Sequence, residues 1–194
     1  MKKLLLFALL ASLSSVAFAS TVTINFEQYS AYTQITNQYQ GSDGVTFANA
    51  LQLVVPFYDY FDYPPHSGSG VITNDPNDPI QVNFTNSLVS VRTMSFWYTD
   101  PNGIVVTGYN TVGTVLATIA GAPVYDANAQ ITLTSTIGQA FAYVTISDAY
   151  GYADNETVDD LSFVPVPIPE PSSLAMLGSG VLGLAAVLRR RLSR

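Results

Sequence analysis

The chain has 194 residues, of which 48% are hydrophobic and only 11% charged, and its formal net charge is −7. It has no cysteine, which excludes disulfide staples and thiol chemistry. Six of its seven basic residues sit at the two ends, so between residues 20 and 170 fourteen carboxylates face Arg92 alone, a balance of −13. A surface this acidic does not hold nucleic acid or anionic lipid by charge, but divalent cations and neutral ligands stay open to it. The many Tyr, Phe, Val and Ile residues argue against disorder. About 145 residues between the two ends suffice for one core without staples.

In chain order, Met1-Lys2-Lys3 is a basic start, Leu4 to Leu10 an apolar core and Ala17-Phe18-Ala19 a small-x-small site. That order predicts a signal peptide over residues 1–19, cut between Ala19 and Ser20, and so export of the chain from Ser20 onward. Residues 20–164 read as β throughout. Val22, Ile24 and Phe26 alternate with polar neighbours, as do Ile80, Val82 and Phe84. Further strands are expected at Gly44 to Phe47, Leu51 to Val55, Leu88 to Tyr98, Ile104 to Tyr109, Thr114 to Ile119, Ile131 to Leu133, Phe141 to Ile146 and Val158 to Phe163. Turn clusters such as Asn74 to Pro79, Asp100-Pro101-Asn102-Gly103 and Gly121-Ala122-Pro123 separate them. The fold class is all-β: a single β-sandwich of the jelly-roll kind.

Residues 165–171 read as a proline-rich linker, whose alternating prolines hold the backbone extended and should stop any strand crossing them. An uncharged apolar run at 172–188 comes next, short but long enough for a transmembrane helix. Within it Ala175, Ser179 and Gly183 would form one small-residue stripe. The basic tail 189–194 predicts a cytoplasmic C-terminus, with the domain on the far side of the membrane.

Pro169-Glu170-Pro171, the short glycine-containing apolar run and the terminal arginines together resemble a PEP-CTERM sorting signal. The resemblance implies that an exosortase reads the tail. The chain would be anchored transiently in the inner membrane, cut near Pro169-Glu170-Pro171 and passed to the cell surface or exopolysaccharide matrix. Its role would be structural or adhesive, with a secreted surface hydrolase or a permanently anchored binding protein as alternatives. More faintly, Ile24 to Glu27, Gly44 to Phe47 and Val158 to Phe163 resemble ectodomains carried above such tails. Their acidic bracketing is similar to calcium-bearing jelly-roll carbohydrate-binding modules. The similarity implies a calcium site made by Glu27 with Asp159 or Asp160, completed by carbonyls of Gln40 to Asp43. Strand alternation puts Asp159 on the face of Leu161 and Phe163, and Asp160 on the other. The stretch Asp148 to Asp160 lacks the ligand spacing of a helix-loop-helix calcium loop.

Phe57 to His66 carries five aromatics in its first seven positions, with two Asp and no clean alternation, as suits an exposed loop. Tyrosine rings stack on sugar faces while carboxylates bond to hydroxyls, so Tyr58, Tyr60 and Tyr63 are candidate glycan-binding residues. A lid on the core, or a protein–protein contact, is the competing role for the loop. His66, the single histidine, reads as a turn residue after Pro64-Pro65. Gly68-Ser69-Gly70 is not a nucleophile elbow, and a zinc site would find no further nitrogen or sulfur. No catalytic residue is expected, and Arg92 is expected to pair with a carboxylate across its sheet.

Overall fold

The computed structural model describes residues 20–167, apart from 75–77, 86–88, 137 and 152–155, together with Gly178. The expected signal peptide, Pro169-Glu170-Pro171, the basic tail and all but Gly178 of the apolar run lie outside the described residues.

The strands in chain order are β1 (Val22–Ile24), β2 (Gln34–Ile35), β3 (Val45–Ala48), β4 (Ala50–Val54), β5 (Gly70–Asn74) and β6 (Ile80–Phe84). They continue with β7 (Val89–Asp100), β8 (Ile104–Tyr109), β9 (Val115–Gly121), β10 (Val124–Thr134), β11 (Tyr143–Asp148) and β12 (Thr157–Pro167). One short helix, α1 (Gln40–Asp43), precedes β3. They form two antiparallel sheets: β10-β7-β12-β5-β4-β2, with β1 also on β12, and β3-β6-β11-β8-β9. The expected β-sandwich is the fold. Inward residues of both sheets make the core, among them Phe26, Ile72, Met94, Phe96, Ile104, Ile146 and Leu161. Phe26 is packed edge-on by Tyr39 and Phe47, at centroid distances of 5.9 and 5.8 Å.

Alternation predicted the strands that have one dry and one wet face. In β8 buried and half-buried residues alternate along all six positions. It missed β5, whose five residues are all buried. Ile72 faces the core, while Val71 is buried outside the core cluster, because the segment joining β4 to β5 covers the other face. A strand covered on both sides loses the period of two. It also missed the two-residue β2 and the first half of β10.

The prolines do not stop the last strand. β12 runs three residues past Val164, with Pro165 opposite Val91 and Pro167 opposite Val89. Beyond Phe163 only β7 pairs with β12 among the described residues. Residues two apart direct their N–H groups to one side, so two prolines can share a side that has no partner to lose. The expected linker therefore begins inside the sheet. Arg92 is also unlike its expectation: it is exposed, and the one ion pair among the described residues does not involve it. Its neighbours across β10 are Thr134 and Ser135, not acids.

At Gly70 the start of β5 lies hard against the backbone of Phe26, two residues past β1. A Cβ there would lie 2.2 Å from the Phe26 carbonyl oxygen and 2.9 Å from Gln52 Nε2. The buried Gln52 amide donates to that same carbonyl at 2.8 Å, so neither neighbour has room to yield. Gly70→Ala is expected to destabilise the domain by more than about 3 kcal/mol. An unchanged thermal melt would contradict this packing.

Candidate functional site

The site lies on the outer face of the larger sheet. There the outward side chains Leu51 and Leu53 of β4, Thr73 of β5 and Thr157 of β12 form a floor. The aromatic segment 55–69, between β4 and β5, lies over it. The cleft between them holds about 280 Å³ and is walled by Tyr32, Tyr58, Asp59 and Tyr63. The segment is fastened from two sides. The Tyr32 hydroxyl donates to the Phe57 carbonyl, and Asp126 N–H donates to the Asp62 carbonyl at 3.2 Å. The Tyr125 hydroxyl also bonds Asp62, and chiefly through that bond its pKa rises to about 12.

Two of the three predicted tyrosines share this cleft. Tyr60 is not among its lining residues and instead stacks on Phe61 at 4.4 Å. Phe57 and Phe61 are 61% and 74% exposed, so the roof presents apolar rings outward while Tyr58 and Tyr63 line the cleft. The loop is thus a lid over the outer face of the sheet, and Tyr58 and Tyr63 wall the cleft beneath it. Burial, and after it nearby Asp charges, hold the Tyr63 phenol above its ordinary value. Burial, then the charges of Asp159 and Glu27, do the same to Tyr58.

Next to the cleft the acidic residues of β12 meet the end of the roof. The register between β12 and β7 shifts between Asp159 and Ser162, and Asp160 takes the left-handed φ of 46°. This bulge inserts one residue, so Val158 and Leu161 both enter the core while Asp159 and Asp160 both turn outward. The simple alternation expected from sequence, with Asp159 sharing the face of Leu161, fails here for that reason. Asp159, only 1% exposed, accepts from Ser67 N–H at 2.8 Å and Asp160 N–H at 2.6 Å. Burial pushes its pKa up to about 6 against those hydrogen bonds, with the Asp160 charge adding to the rise. Asp160 Oδ2 lies 2.6 Å from His66 Nδ1, and its Oδ1 accepts from Ser67 Oγ at 3.0 Å.

His66 is thus no simple turn residue. Its ring lies flat on Trp97, with centroids 3.8 Å apart and planes 8° from parallel. Trp97 pairs with Asp159 across the ladder, so ring and carboxylates share one face. Glu27 is brought to the same segment but not to the same point. Its carboxylate accepts from Ser69 N–H at 2.9 Å, Gly70 N–H at 2.8 Å and Ser69 Oγ at 3.1 Å. Among the described residues, the group able to hold a metal is His66, Asp159 and Asp160, without Glu27. The segment Gln40 to Asp43 is the helix α1 and lines a different cleft with Val22, Thr85 and Pro165. Sequence reasoning passed over Trp97, Ser67 and the partnering of His66. The Ser67-Gly68-Ser69-Gly70 string, with its free N–H donors, was the available signal.

A second acidic group lies at the corner where β7 hands the chain to β8 in the other sheet. Asp100 and Glu156 are fully buried and Asp148 nearly so. Asp100 Oδ1 accepts from Asn102 N–H at 2.7 Å, and Asp148 Oδ2 accepts from Asn102 Nδ2 at 2.8 Å. Burial pushes the Asp100 pKa up to about 7, with the charge and side chain of Asp148 adding to it.

Beyond β12, residues 167–191 match the family of the PEP-CTERM protein-sorting motif. The chain carries a PEP-CTERM sorting domain. Such a motif marks an exported protein for processing by an exosortase, so the sandwich described here is the exported part of a PEP-CTERM protein. No curated protein matches its sequence. Among solved structures it is similar to the K2 cleaved adhesin domain of Lys-gingipain, at TM-score 0.50 and 14% identity, over 74% of this chain and 99% of that one. It is also similar to a family 29 carbohydrate-binding module, at TM-score 0.47 and 13% identity, over 76% of this chain and 90% of that one. At 14% identity the likeness to the adhesin domain is one of fold. Among the described residues of the PEP-CTERM chain, no helix is long and apolar enough to cross a membrane.

Proposed function

We propose that this exported PEP-CTERM protein is a non-catalytic, adhesive component of the cell surface or exopolysaccharide matrix, and that its roofed cleft binds a neutral glycan. The observation that carries the reading is the cleft of about 280 Å³, where Tyr32, Tyr58 and Tyr63 stand beside Asp59. Tyrosine rings offer flat apolar faces to sugar C–H groups, and Asp59 offers an acceptor to hydroxyls. A neutral chain suits a domain whose charge balance is −13, since an anionic polysaccharide would be repelled.

Retention of the protein in gels cast with neutral or acidic polysaccharides tests this directly. The protein should be slowed by a neutral glucan, mannan or galactan. Tyr58→Ala combined with Tyr63→Ala should weaken retention at least about tenfold. Tyr60→Ala, which removes the stack on Phe61 and an edge contact to Tyr58 but no ring of the cleft wall itself, should change it less. Equal retention of all three proteins would refute the cleft as the site. Released sugar products would replace the binding reading with that of a hydrolase.

A further inference from the structure

We propose that His66, Asp159 and Asp160 bind a divalent first-row transition cation of the zinc class, which clasps the roof segment to strand β12. One ligand atom from each of the three residues lies within 4.8 Å of the others. Zinc takes imidazole nitrogen and carboxylate oxygen at about 2.0–2.2 Å, in a roughly tetrahedral set. The pair His66 Nδ1 and Asp160 Oδ2, now 2.6 Å apart, need separate by less than about 1 Å to admit the ion between them.

The ligands are held in advance of any ion. Trp97 fixes the imidazole plane, and the bulge fixes both carboxylates on one face. The N–H groups of Ser67, Asp160 and His66 orient the Asp159 carboxylate, whose two oxygens carry about four acceptor sites between them. Preset outer contacts of this kind raise the affinity of a metal site. A separate observation points the same way. The Tyr58 hydroxyl is buried without a hydrogen-bond partner among the described residues, and the charges acting on it are those of Asp159 and Glu27. A water held by the ion would offer such a hydroxyl the partner it lacks. Two carboxylates also balance a divalent charge in a region that has no Lys or Arg ion pair among the described residues.

The donor set selects the ion. Calcium takes six to eight oxygens, and the carboxylate that would supply more of them, Glu27, is committed to the N–H groups of Ser69 and Gly70. The imidazole nitrogen suits zinc and its neighbours instead. His66, Asp159 and Asp160 lie outside the cleft lining, so zinc binding is tested apart from the glycan reading, with Tyr58 the one residue that belongs to the cleft.

Trp97 is the only tryptophan, so its emission reports on the ring stacked against it. The full-length protein, purified in detergent and stripped with EDTA, is titrated with zinc chloride while Trp97 emission and the melting temperature are followed. A saturable emission change below about 100 µM, a raised melting temperature and reversal by EDTA are expected. Asp160→Asn keeps the His66 ring on Trp97 and should weaken zinc binding at least about tenfold. His66→Ala should abolish it. No response to zinc up to about 1 mM, equal affinity in Asp160→Asn, or a response to calcium but not zinc would each overturn the proposal.

Discussion

Replacing Asp100 by asparagine is expected to raise the stability of the domain at pH 8 and to leave it nearly unchanged at pH 4. Asp100 is fully buried in the corner between the sheets, and its pKa is pushed up to about 7, against 3.8 for an ordinary aspartate. Folding therefore favours the protonated carboxyl. Its contribution is complete below about pH 4, where both states carry the proton. Between about pH 4 and 7 the unfolded chain ionises while the folded one resists, and stability falls by about 1.4 kcal/mol per pH unit. Above about pH 7 the loss stays constant, on the order of 4 kcal/mol. The carboxamide of Asp100→Asn would mimic the protonated form. Its oxygen can still accept from Asn102 N–H, and its NH2 group can donate to Asp148 where two carboxylates now face each other. For a domain of this size that corresponds to roughly 8–16 °C in melting temperature at pH 8. Asp159, also raised, bends the curve in the same direction, but it is present in both proteins and cancels in their difference. The measurement is melting temperature against pH for both proteins. Parallel curves, or a less stable variant at pH 8, would show that the burial of Asp100 does not cost the folded state its charge.

The same corner shows how far a sequence can be read. Asp100-Pro101-Asn102-Gly103 announces a turn, since Asp and Asn bond their own backbone and Gly103 takes the positive φ of 83°. Its burial is not legible, because it depends on Asp148, 46 residues along the chain from Asn102. Strands with one wet face were legible by alternation, and β5 was hidden because a loop covers its second face. The aromatic wall was legible because Tyr58 and Tyr63 are neighbours in one loop. The floor of the cleft was not, being Leu51, Thr73 and Thr157 from three strands. A bulge is the hardest case. One extra residue at Asp160 reverses the face of every residue before it, and no local pattern marks it. That single insertion is why Asp159 meets His66 and Ser67 rather than the core. The sorting motif lies at the opposite extreme. It is linear, and so wholly visible in the sequence, whatever the fold in front of it.

Changing Pro169-Glu170-Pro171 to three alanines is expected to stop processing of the chain altogether. The motif spans residues 167–191, and β12 stays paired up to Pro167, opposite Val89. Only Ile168 separates the last paired residue from Pro169. An enzyme that cuts at the motif must therefore work directly against the folded sandwich, with almost no slack chain to draw into its site. Proline lacks the N–H that a helix needs and disfavours helix in the residue before it, so the two prolines of the motif are a sequence barrier to helix formation. Alanines remove that barrier to helix formation and with it the residues by which the motif is read. Intact mass of protein recovered from the native host, from membrane and released fractions separately, reads the outcome. The unaltered chain should appear in the released fraction, beginning at Ser20 and ending near Glu170. The triple-alanine chain should stay in the membrane fraction and still carry Arg194. Should the unaltered chain itself keep Arg194 and never be released, the protein would be a permanent anchor, and its sandwich would act at the membrane rather than in the matrix. A released species from the triple-alanine chain would mean that another protease, reading the exposed end of β12, does the cutting.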